Sequence, residues 1–144
     1  MKNILLPIGD ERETRWAASQ AIALYRKDQP VRIHLLNVQR PLPQYISRFF
    51  SGGDLRDFHR DAGMQVLRPA IDMLDEAGIP HQDHVLVGNP AETIVKFSEE
   101  HHCTQVVLDN EPSGLLSIFG LGSIGSQVRH LMQVSAPEKQ PRPG

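Results

Sequence analysis

"VLVGNPAETIVKFSEEHHCTQVVL", residues 85–108, decides the fold because it reads as strand, helix and strand in direct succession. The strand-like run 83–88 ends at Gly88. Asn89 is a preferred helix cap, Pro90 suits the first helical position, and Glu92 lies where the helix dipole favours negative charge. "TQVVLD" (104–109) then returns to strand character. Strands joined through a helix run parallel, since parallel pairing requires a long crossover.

Outward from this unit the alternation continues. "ILLPI" (4–8) is a short apolar run, as expected of a strand buried on both faces. Residues 13–30 place Ala17, Ala21 and Leu24 at helical spacing until Pro30 ends the pattern, and "VRIHLLNV" (31–38) predicts a second strand. The stretch 39–54, with two prolines and two glycines, reads as a long loop, with Asp54 placed to cap the next helix. Met64, Leu67, Ile71 and Leu74 mark that helix, which stops at Gly78-Ile79-Pro80. Pro69 predicts a kink or a break into two helices. Ile124, Val128 and Leu131 define a last helix.

Alternation of this kind predicts a single-domain α/β three-layer sandwich. Its mostly parallel sheet has five strands, or four, with helices on both faces. The domain is expected over 1–135, and proline-rich 136–144 as a disordered tail. Ligands of such sheets sit beyond the carboxyl ends of the strands, here Pro7–Asp10, Val38–Arg40, Val87–Asn89 and Leu108–Glu111.

Composition narrows the function classes. With 144 residues, Lys+Arg 15 against Asp+Glu 17, and no basic stretch, nothing points to nucleic acid. No run approaches the ~18 apolar residues of a membrane span, and the start is too short in apolar sequence for a secretory signal. Cys103 is the single cysteine, so an intrachain disulfide is excluded. A cytoplasmic protein is the expectation.

"FGLGSIGS" (119–126) contains Gly120-x-Gly122-x-x-Gly125, the literal dinucleotide-binding pattern. That fingerprint must follow a strand directly and open a βαβ unit. Here the strand ends near Asp109, and the 19 residues after Gly125 leave no room for the unit. Two readings remain for Gly122-Ser123. Free amides at a helix start can bind phosphate, and Ser123 can equally serve as an ordinary cap.

Several stretches resemble the universal stress protein family. "MKNILLPIG" and "VRIHLLNV" look like its first two strands, "VLVGNPAETIVKFSEEHHCTQVVL" like its third strand, helix and fourth strand, and "GLGSIGSQVRHL" like the opening of its last helix. The resemblance implies a five-stranded parallel sheet, usual dimerisation and a non-catalytic role in the stress response. Some members bind ATP through G-x-x-G-(nine residues)-G-[ST] after the fourth strand. Aligned on Gly122-Ser123, the earlier glycines are replaced by Asp109 and Pro112. An aspartate adds like charge beside phosphate, and proline has no amide hydrogen to offer. The family's adenosine-contacting aspartate falls at Gly9, with Asp10 next to it. Pro7, Ile8, Asp10, Val38, Leu108, Gly122, Ser123, Ile124 and Gly125 therefore form the candidate nucleotide site, while half a motif argues for a lost or altered one. No cofactor is expected, with ATP as the alternative. The polar end of the chain leaves little for the family's last apolar strand, which bears on the homodimer.

Other chemistry is thin. The seven histidines lack ligand spacing: His81 and His84 fall on opposite sides of a strand, and adjacent His101 and His102 point apart. No metal is expected. Cys103 reads as an apolar filler, Asp109 and Glu111 as loop residues without an acid/base partner, and Arg48-Phe49-Phe50 as a contact patch or a lid. No catalytic residue is assigned, which disfavours a nucleotide hydrolase or an adenylyl-transfer enzyme. An unidentified protein partner is the expected target.

Overall fold

The computed structural model describes residues 2–27 and 30–108, without the side chains of 11–13. Four strands, β1 (Lys2–Pro7), β2 (Val31–Gln39), β3 (Gln82–Val87) and β4 (Cys103–Val106), form one parallel sheet in the order β3-β2-β1-β4. Helix α1 (Glu11–Lys27) crosses from β1 to β2, α3 (Gly52–Glu76) from β2 to β3, and α4 (Pro90–Glu100) from β3 to β4. The α/β expectation holds, with four strands among the described residues. The expected last helix, a fifth strand and the tail 136–144 lie outside them.

Strand alternation sends the chain's apolar residues to two separate cores. Ile4, Leu6 and Ile8 of the first strand segment, with Ile33 and Leu35 of β2, pack under Ala17 and Ala21 of α1 and Leu67, Ala70, Ile71 and Leu74 of α3. Leu5 and Leu36 face the other way, against Ala91, Ile94, Val95 and Phe97 of α4. The buried hydroxyl of Thr14 ties the first layer together by donating to the carbonyls of Asp10 and Val66.

Three local expectations are corrected. The stretch 39–54 is not one loop: β2 runs to Gln39, and a four-residue helix α2 (Gln44–Ser47) follows. Pro43 starts α2, its carbonyl accepting from the amides of Ile46 and Ser47. Ser51, not Asp54, caps α3; its side chain accepts from the Asp54 amide at 3.0 Å. Asp54 instead supplies the negative charge of the first turn. Finally, of the two outcomes expected at Pro69 the break is excluded, because α3 is a single helix of 25 residues with Pro69 inside it. Proline removes one ladder bond, at a cost of about 3 kcal/mol. Burial of Leu67, Ala70, Ile71 and Leu74 around it outweighs that loss.

The helix ends are set as the residues suggest. Gly78 (φ 72°) turns α3 off, with the Ile79 amide donating back to Leu74 and Ile79 itself buried. At α4, the Asn89 side chain accepts from the Glu92 amide at 3.0 Å, and Pro90 takes the first turn. Gly88 leaves room for the Thr93 hydroxyl, which an added Cβ would approach to 2.7 Å and force to shift. No helix among the described residues is long and apolar enough to cross a membrane.

Candidate functional site

Parallel strands ending on one side create a crevice at their carboxyl edge, and the candidate residues distribute around it. Pro7 ends β1, half-buried. Ile8 is 1% exposed and belongs to the α1/α3 core, so its side chain is not available to a ligand. Its amide donates to the Leu36 carbonyl at 2.8 Å, and its carbonyl accepts from Asn37 Nδ2 at 2.8 Å. Asp10 lies immediately before α1, half-buried. Val38 and Leu108 both pack against the α4 layer, on the face opposite Ile8. Gly122, Ser123, Ile124 and Gly125 lie outside the described residues, as do Asp109, Glu111 and Pro112.

A polar chain lines the β2 end of this crevice. Asn37, buried, accepts from Gln39 Nε2 at 2.7 Å while donating to Ile8. Gln39 Oε1 in turn lies 3.5 Å from Nδ1 of His59, a buried residue of α3. Gly63 lets α3 come this close. A Cβ there would fall 2.6 Å from Val85 Cγ2 and 3.0 Å from Asn37 Oδ1.

At the opposite edge of the sheet, three histidines meet. His34 (β2), His84 (β3) and His101 (at the end of α4) have ring centroids 5.3–5.7 Å apart, around Phe97. His101 stacks on Phe97 at 3.8 Å, and His84 meets that ring edge-on at 4.6 Å. The hydrogen bonds fix the tautomers. Asn3 Oδ1 accepts from His34 Nε2 at 3.1 Å, so His34 Nδ1 accepts from His84 Nε2 at 3.1 Å. His101 Nδ1 donates to the Phe97 carbonyl at 3.1 Å. Burial, reinforced by His84, His101 and Arg32, lowers the pKa of His34 to about 4. Burial and His101 lower that of His84, against the opposing charge of Asp83.

His81, just before β3, is the electrostatic opposite. Asp75 and Asp83 carboxylates lie 2.8 and 2.6 Å from its two ring nitrogens. Burial pushes its pKa down, but these two hydrogen bonds and charges outweigh burial and raise it. His81 and His84 do have different surroundings, but His81 lies outside β3, so strand alternation is not the reason. The His34–His84–His101 trio, by contrast, was missed. It depends on strand register and on where α4 ends, and neither is legible in spacing. Among the described residues, no cluster of His, Cys, Asp or Glu has the geometry to hold a metal ion. Burial pushes the Cys103 thiol up to about 11, leaving it protonated and weakly nucleophilic at neutral pH.

The segment around α2 carries exposed apolar side chains. Phe49 is 78% and Tyr45 67% exposed, with Phe58, Leu86 and Val87 also exposed. Arg48 lies over the Phe49 ring at 5.1 Å. Phe49 therefore does not close onto the sheet as a lid.

A family model described as the universal stress protein family matches residues 1–136. Solved structures share the fold. Hypothetical protein MJ0577, the subject of a structure-based assignment of biochemical function, superposes with a TM-score of 0.67 at 22% identity, covering 90% of this chain and 88% of that one. A protein of the universal stress protein family from Burkholderia pseudomallei gives 0.61 at 18% identity, covering 90% and 89%. An Arabidopsis thaliana family protein with AMP bound gives 0.55 at 15% identity, covering 84% of each chain. A comparison with curated proteins finds no match.

Proposed function

The chain belongs to the universal stress protein family and is a stress-response protein of that family, and we propose that it acts without catalysis, through protein contacts, with its adenine-nucleotide site lost or altered. The observation that carries this reading is the replacement of two phosphate-loop glycines by Asp109 and Pro112. One substitution brings negative charge to the phosphate path, and the other removes an amide donor and hinders close backbone approach. The exposed side chains of Tyr45, Phe49 and Phe58 supply apolar surface of the kind protein contacts use.

The test is direct. Protein purified without added nucleotide is denatured, the released small molecules are analysed, and the native protein is titrated with ATP. No released nucleotide and no micromolar binding is the expected result. Stoichiometric ATP, or micromolar affinity, overturns the lost site.

The AMP-bound Arabidopsis protein favours a second reading, an adenine-nucleotide switch built on the Gly122-Ser123 helix start. On that reading, Gly122→Val with Ser123→Ala abolishes a measurable affinity while the circular dichroism spectrum stays unchanged. Light scattering of the same samples reports whether the partner includes a second copy of the chain.

A further inference from the structure

We propose that His34, His84 and His101 form an acid-sensitive latch that holds the carboxyl end of α4 against β2 and β3, and that protonation of the trio releases it. The inference stands apart from the nucleotide reading. It rests on three imidazoles from three elements whose ring centroids lie 5.3–5.7 Å apart, two of them joined at 3.1 Å.

In the neutral state the arrangement is satisfied. His84 donates to His34, His34 donates to Asn3, and His101 donates to the Phe97 carbonyl while stacking on the Phe97 ring. Adding a proton to His34 Nδ1 turns its acceptor into a donor. The bond then persists only if His84 shifts its proton to Nδ1 and accepts at Nε2, with the charge held in a ring pair that includes buried His34. A second proton, on His84 or His101, places like charges within one ring contact of each other in a half-buried setting.

The surrounding charges give little relief. Arg32, on the same strand as His34, opposes its protonation. From β1 the facing group is the neutral amide of Asn3, and Cys103 of β4, packed in the same layer as Phe97, stays neutral because burial pushes its thiol up to about 11. Asp83 of β3 favours a charged His84, but its carboxylate is already engaged by His81. Acid therefore acts against the closed arrangement at His34 and His84, the two rings whose proton affinity burial lowers. Burial, chiefly, keeps His34 near 4 and His84 below its ordinary value while the latch is closed, and release returns both rings to water and to ordinary proton affinity.

The test uses the full chain. Hydrogen exchange is measured for the amides of Phe97–His101 at pH 7.5 and 4.5, corrected for intrinsic rates. The variant H34Q/H84Q/H101N supplies amide nitrogens where the His34 Nε2, His84 Nε2 and His101 Nδ1 donors stood, and none of the three titrates. Wild-type protection is expected to fall at least tenfold between the two pH values, and that of the variant no more than a third as far. Equal protection at both pH values, or an equal fall in both proteins, overturns the latch. If the variant does not fold, nuclear magnetic resonance titration of the wild-type rings decides. Coupled transitions, with His34 protonating last, support the latch, and three independent transitions near pH 6.5 overturn it.

Discussion

The two faces of one sheet bury their surface by different chemistry. Against α1 and α3, β1 and β2 present Ile4, Leu6, Ile33 and Leu35 to two helices, and the layer closes with apolar side chains. Against α4, the described residues offer one helix of eleven residues to the whole face. Leu5, Leu36, Ala91, Ile94, Val95 and Phe97 fill its middle, and the edge is completed by His34, His84 and His101. The first face is held chiefly by apolar area, which pH does not alter, with His81 between Asp75 of α3 and Asp83 of β3 as a titrating group. The second includes groups whose contribution depends on staying neutral.

The strongest way to break this contrast is to weaken the apolar face. Leu35→Ala removes a fully buried side chain and is expected to cost about 2–5 kcal/mol. Urea unfolding at pH 7.5 and 4.5 should return the same loss at both. A loss that differs with pH would mean that the faces are energetically coupled.

Acid titration is expected to have the next largest effect. The folded-state pKa of His34 is lowered from 6.5 to about 4, chiefly by burial. Its neutral-state stability is therefore complete above pH 6.5 and is lost as pH falls towards 4, by up to about 3 kcal/mol at 1.36 per unit. His81 has the opposite sign. Its raised pKa contributes stability that is complete below pH 6.5 and is lost as pH rises through the raised value. Unfolding free energies of wild type, H81N and H34Q/H84Q/H101N across pH 4–8 separate the two. H81N should flatten the alkaline side, and H34Q/H84Q/H101N the acid side.

The contrast also explains what was legible from the sequence. Alternating strands and helices, the Asn89-Pro90 helix start and the Gly78 stop are local features, and each is found where the sequence places it. The helix does not break at Pro69 because the local cost is outweighed by tertiary burial, and Asp54 misled because Ser51 is the better-placed acceptor. The histidine trio was illegible for a third reason. Its members are 50 and 17 residues apart in sequence, and they meet through the pairing of His84 with Leu36 and the length of α4. On the candidate nucleotide site, alternation could have placed Ile8 and Val38 on opposite faces, once the pairing of β1 with β2 was known.

A smaller effect probes how α3 reaches the sheet. Gly63→Ala would ordinarily favour a helix by about 1 kcal/mol. Here the added Cβ meets Val85 and Asn37, so a net loss of about 1–3 kcal/mol is expected from overpacking. Val85→Ala added to that variant opens the space. Recovery in the double variant assigns the loss to this contact, and no recovery would place its cause in the backbone of α3.

The smallest expected change lies beside the latch and isolates it. His102 follows the end of α4 with φ 52°, a left-handed conformation that costs a residue with a Cβ roughly 1–2 kcal/mol. His102→Gly removes that strain and adds unfolded-state freedom, leaving a net gain of about 0.5–1 kcal/mol. The ring of His102 is exposed and takes no part in the contacts among His34, His84, His101 and Phe97. H102G should therefore raise stability equally at pH 7.5 and 4.5, leaving the acid slope as it is in wild type. A changed slope would mean that the charge on a neighbouring histidine reaches the trio through solvent, and the acid response would then belong to the whole end of α4 rather than to three packed rings.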